Sequence, residues 1–169
     1  MTFIRRKIRL WPVDFGIGSY TEGVVNRDVE SLGVKLLTSI GYQGLSNTEF
    51  KMDPKDGQYK LIEVNIRCAG QTALAVDSGA DIPYVAYMDA LDQTPAPSVP
   101  YKQGVRWINL ASDYRSFRAS RKKRKLTWSG WAKSVVSARS HAYFSLRDPV
   151  PSIYVAVGVI KEHLSRRPA

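Results

Sequence analysis

Polar and apolar positions alternate most cleanly between residues 41 and 70. Successive side chains of a strand point to opposite sides. Ile62, Val64 and Ile66 therefore share one face, and Leu61, Glu63, Asn65 and Arg67 the other. Upstream, Phe50 and Met52 share a face, with Asn47, Glu49 and Lys51 opposite. Residues 53–57 between the two runs read Asp-Pro-Lys-Asp-Gly, with Pro and Gly where a tight reversal needs them. The pattern predicts a hairpin whose loop covers residues 54–58. In that register Asp53 lies opposite Tyr59, and Glu49 opposite Glu63.

The other periodicities build around this hairpin. Residues 3–10 read as a strand with Lys7 and Arg9 on one face and Ile8 and Leu10 on the other. Charge on an edge strand also protects it from aggregation, so a structural role competes with an anion-binding one. Residues 14–23, with Gly16, Gly18 and Gly23, read as a loop. Asn26 is a good helix N-cap, followed by Asp28 and Glu30 in the first turn. Val29, Leu32, Leu36, Leu37 and Ile40 then recur at helical spacing up to Gly41, which suits a helix end. That helix reads as core-building. Residues 72–78 read as a short helix stopped by Gly79. Asp81 caps another that reaches about Leu91, with Ile82, Val85, Ala86, Ala90 and Leu91 as core and Tyr84, Tyr87 and Met88 as packing. Residues 94–100 carry three prolines and read as a connection. Residues 105–110 suit a strand, and Pro151 can start a helix with Ile153, Val157, Ile160 and Leu164 on one stripe. Strands followed by helices make this an α+β chain, an antiparallel sheet packed against helices.

The hairpin carries the chemistry. Like charges directly opposite each other on a sheet destabilise it unless something positive lies between them. A hard divalent cation fits Glu49 and Glu63, because Mg²⁺ is commonly held by one or two carboxylates together with phosphate oxygens. Asn65 could add an oxygen, and Arg67 points the same way. The competing explanation is an ordinary hairpin with one wet face.

Charge changes the picture further on. The net charge is +10, yet residues 1–100 hold 10 Lys and Arg against 12 Asp and Glu, and residues 101–169 hold 15 against 3. The densest run, RSFRASRKKRK, falls within residues 114–126. It reads as a solvated helix or loop, or as a surface for an anionic partner. Nucleic acid is the least expected of these partners, because it needs aromatic or base-reading groups besides charge. Trp128 and Trp131 do follow, but a packed helix face explains them equally well. One cysteine, Cys68, excludes an intrachain disulfide and suits a reducing compartment such as the cytoplasm. His141 and His163 lack metal-ligand spacing. No signal peptide is legible, and no apolar run approaches the ~20 residues of a membrane helix.

Glu49, the hairpin and Glu63-Val64-Asn65-Ile66-Arg67 resemble the C-terminal metal-binding hairpin of the ATP-grasp ligases. The surrounding text is most similar to the carboxylate–amine ligase branch. The resemblance implies an ATP-grasp C-terminal lobe over residues 1–95, with the hairpin at 46–67, and a basic extension over 96–169 packed on the same domain. It implies Mg²⁺ or Mn²⁺ on Glu49, Glu63 and Asn65. Arg67 would be the catalytic contact to the transferring phosphoryl group. Lys7, Arg9 and Lys51 would contact ATP. It implies ATP, a small carboxylate and an amine as substrates, joined through an acyl phosphate. In the family a further lobe upstream covers the nucleotide, so that lobe, or a separate chain supplying it, is expected. The alternative is a non-catalytic module whose basic C-terminal surface contacts a membrane surface, a polyanion or nucleic acid.

Overall fold

The computed structural model describes residues 1–96, 99–122, 126–145 and 148–165. Its elements are β1 (Arg5–Trp11), β2 (Ile17–Gly23), α1 (Arg27–Ser39), β3 (Asn47–Met52), β4 (Tyr59–Asn65), α2 (Thr72–Asp77), α3 (Ile82–Ala90), β5 (Arg106–Ile108), α4 (Leu110–Lys122), α5 (Trp128–Ser137), β6 (Ser140–His141) and α6 (Val150–Ser165). This is the expected α+β composition. One sheet has the order β1-β2-β5-β6, and β3 and β4 form a separate two-stranded sheet. β2 and β5 pair antiparallel, whereas β5 and β6 run parallel. The larger sheet is therefore mixed.

The chain divides into two compact units. The first comprises Met1–Arg5 and Gly23–Gly104, and contains the hairpin and α1 to α3. Asn26 caps α1 as expected, its side chain accepting from the Val29 amide, and Asp81 caps α3 by accepting from Tyr84. Neither helix buries a residue. The expectation that both build core is corrected. Val29, Gly33, Leu36 and Leu37 make only a half-buried stripe along α1, and Tyr84 and Tyr87 of α3 are exposed rather than packed. The buried apolar residues of this unit are Leu74, Ala75 and Ala80, around α2. Tyr101 fastens the unit's ends together. Its ring meets Phe3 edge-on, and its hydroxyl donates to the Val24 carbonyl.

The second unit comprises Arg6–Glu22 and Val105–Ala169. Its core holds Tyr20, Trp107, Ile108, Phe117 and Ala138. Residues 17–23, expected as loop, form a strand paired with β5. Their glycines and polar side chains conceal it, because Ser19, Thr21 and Glu22 are all buried. Such polar groups are tolerated inside when partners satisfy them, and two of the three have partners. Ser19 donates to Asp113, and Glu22 accepts from Arg6 and Arg106. Gly16 precedes the strand where a Cβ would lie 2.0 Å from the Trp11 backbone, so only glycine fits that turn. The basic run is helical up to residue 122, and its residues 123–125 lie outside the described residues. In α6, Ile153 and Val157 are exposed, and the Ile160 and Leu164 side chains lie outside the described residues.

Candidate metal and phosphate site on the hairpin

The hairpin is closed by four residues rather than five. The Asp53 amide donates to the Gln58 carbonyl at 2.8 Å, and the Gly57 amide to the Asp53 carbonyl at 2.8 Å. The Asp53 side chain accepts from the Lys55 amide, an Asx turn, and Gly57 takes φ +69°, where a Cβ is disfavoured. Met52, not Asp53, therefore faces Tyr59, and the ladder continues through Lys51↔Lys60 and Phe50↔Leu61.

An unbroken ladder would next set Ile62 against Glu49. Instead the register shifts at this step, and Glu63 faces Glu49. Ile62 is the extra residue of a β-bulge, a device that re-aims side chains. The Glu49–Glu63 pairing expected from the sequence is present, but a bulge produces it rather than a longer loop. The bulge also corrects the assignment of Leu61, which lies with Phe50 rather than with Glu63. One face of the hairpin now carries Tyr59, Met52, Phe50, Leu61, Thr48 and Val64. Its Phe50 ring rests near Gly33 of α1, and the Tyr59 hydroxyl accepts from Asn26. The other face reads, from tip to base, Lys51 with Lys60, Glu49 with Glu63, and Asn47 with Asn65. A basic pair, an acidic pair and an amide pair follow one another along one surface.

Local bonds orient this face. Asn65 Nδ2 donates to Glu63 Oε1 at 2.8 Å, which leaves the Asn65 carbonyl oxygen as a separate acceptor. Lys60 pairs with Asp56 of the loop at 2.7 Å. Arg5 donates to Asn47 Oδ1 at 2.8 Å and lies 3.8 Å from Glu49 Oε1. Burial lowers the Arg5 pKa, and the Glu49 carboxylate opposes that shift. Arg5 Nε is buried without a hydrogen-bond partner. Sequence reasoning missed Arg5. The signal was the basic strand itself, which was read only for Lys7 and Arg9.

The structure thus brings Glu49, Glu63, Asn65 and Lys51 onto one face. Arg67 lies just past β4, exposed, donating to the Cys68 carbonyl at 3.2 Å. Lys7 and Arg9 belong to the second unit. There Arg9 grips both oxygens of Asp113 at 2.8 Å and donates to Ser134. Two carboxylates and an amide oxygen are hard donors and fit a hard divalent cation. Among the described residues no three His, Cys, Asp or Glu side chains cluster in a way that could hold a metal. The hairpin alone would therefore hold an ion partly through phosphate or water oxygens.

A segment of Methanobrevibacter smithii carbamoyl phosphate synthase large chain is 40% identical over 53 residues, 30% of this chain and 5% of that protein. Enterococcus faecium D-aspartate ligase is 27% identical over 92 residues, 53% of this chain and 22% of that protein. The chain thus spans a small part of the length of these relatives. No solved structure matches. The family described as "ATP-grasp in the biosynthetic pathway with Ter operon" matches residues 5–112, a span that contains the whole hairpin. The chain belongs to the ATP-grasp family.

Proposed function

We propose that the hairpin binds the metal–triphosphate of Mg-ATP, for an amide-forming ligase reaction that passes through an acyl phosphate. The observation that carries it is the succession of basic, acidic and amide pairs along one hairpin face, in a chain of the ATP-grasp family. Glu49 and Glu63 hold the cation, with Asn65 as a further oxygen donor. Lys51 meets phosphate oxygen beyond the acidic pair. Arg67 meets the transferring phosphoryl group or the substrate carboxylate. When bound, the ion neutralises the crowded phosphate oxygens. Arg5 keeps Asn47 and Glu49 in place. In the reaction a substrate carboxylate oxygen bonds to the γ-phosphorus and ADP leaves. The amine then bonds to the acyl carbon and phosphate leaves. Positioning and charge stabilisation supply most of the catalysis in such transfers. The cytoplasm, where ATP and Mg²⁺ are abundant, is the compartment proposed.

The 169 residues are proposed to bind Mg-ATP without completing turnover, which needs a further lobe over the nucleotide. The test is thermal unfolding with Mg-ATP at millimolar concentration. The midpoint rises for the wild-type chain and not for Glu63→Gln. An unchanged wild-type midpoint sinks the proposal.

A further inference from the structure

We propose that α4 and α5 of the second unit form a stacking site for single-stranded nucleic acid. This site is independent of the hairpin. Trp128 and Trp131 are three residues apart on α5, yet the structure gives them different work. Trp131 is structural. Its indole N–H donates to Asp113 at 2.9 Å, and its ring stacks on the fully buried Phe117, 19° from parallel. Trp128 is 49% exposed at the start of α5. Phe117 supports it edge-on at 4.6 Å, and the Arg121 guanidinium lies 5.2 Å from its ring centroid. Tyr114, Phe117, Arg118, Arg121 and Trp128 line an open groove of about 390 Å³.

A supported, half-exposed indole flanked by arginines is what an unpaired base needs. Its face stacks on the ring or the guanidinium plane, and the neighbouring cations meet the backbone. The strong positive balance of residues 101–169 favours a polyanion over a single nucleotide. A lipid surface would ask for an apolar wedge around the tryptophan, whereas the groove places Arg118 and Arg121 there.

The test is fluorescence anisotropy of a labelled oligothymidylate of about 15 nucleotides, within the span such sites cover. The full 169-residue chain is used. Binding is expected to weaken steeply between about 50 and 200 mM salt. Trp128→Ala should weaken it about tenfold, in line with the loss of one stacked base, while Trp128→Phe stays close to wild type. Arg118→Gln combined with Arg121→Gln, both exposed positions, should reduce the salt dependence without changing the circular dichroism. The double variant carries the test by itself if Trp128→Ala does not fold. Equal affinity of wild type and Trp128→Ala, or displacement by heparin with no effect of either tryptophan variant, overturns the proposal. So does binding to phosphatidylserine vesicles with none to the oligonucleotide.

Discussion

At the residue scale, two buried acids hold the second unit together by different means. Asp113 is fully buried and accepts two bonds from Arg9, one from Ser19 and one from Trp131. Removing one partner of a buried pair leaves an uncompensated charge. Asp113→Ala is expected to cost about 3–5 kcal/mol in urea unfolding, and Arg9→Ala should lower stability as well. For Glu22, burial pushes the carboxyl pKa up, but Arg106 and Arg6 outweigh burial and hold it below the ordinary carboxylate value. A folded pKa below the unfolded one stabilises fully above the unfolded value. That stabilisation is lost as pH falls through the folded value. Glu22→Gln should therefore lose about 1.5–3 kcal/mol at neutral pH, as hydrogen bonds to charged groups do. It should also lose less stability than wild type between neutral and acid pH. An unfolding series across pH that shows the same acid slope for both chains would refute this role.

At the scale of elements, what the sequence discloses depends on where partners lie. The caps of α1 and α3 involve neighbours three residues away, so Asn26 and Asp81 were readable directly. The hairpin was readable because its turn and alternation are local. Its bulge was not, since nothing near Ile62 marks a break in alternation. β2 was missed for the opposite reason. Its buried Ser19 and Glu22 are satisfied by Asp113 and Arg106, some 94 and 84 residues away. Arg5 likewise meets Asn47 across 42 residues. Two predictions belong here. Gly57→Ala forces a Cβ into a left-handed position and should cost about 1–2 kcal/mol, read as a lower unfolding midpoint. Arg5→Gln removes the group that holds Asn47 and Glu49. It should weaken Mg-ATP binding roughly 10-fold, at the low end for groups that orient metal ligands, while circular dichroism stays unchanged.

At the scale of the molecule, charge and chemistry are divided along the chain. The acidic pair lies in the near-neutral first 100 residues, and the excess of cations lies after them. The family match spans residues 5–112 and so reaches from β1 into the start of α4. No helix among the described residues is long and apolar enough to cross a membrane. In the function proposed above, the bulge sets Glu63 against Glu49 so that the pair holds a divalent cation. Electron paramagnetic resonance of Mn²⁺ added with ATP reads that role. Wild-type protein should deplete the free Mn²⁺–ATP signal in a saturable way, and Glu49→Gln and Glu63→Gln should each abolish that depletion. Equal depletion by all three chains would show that neither carboxylate holds the ion.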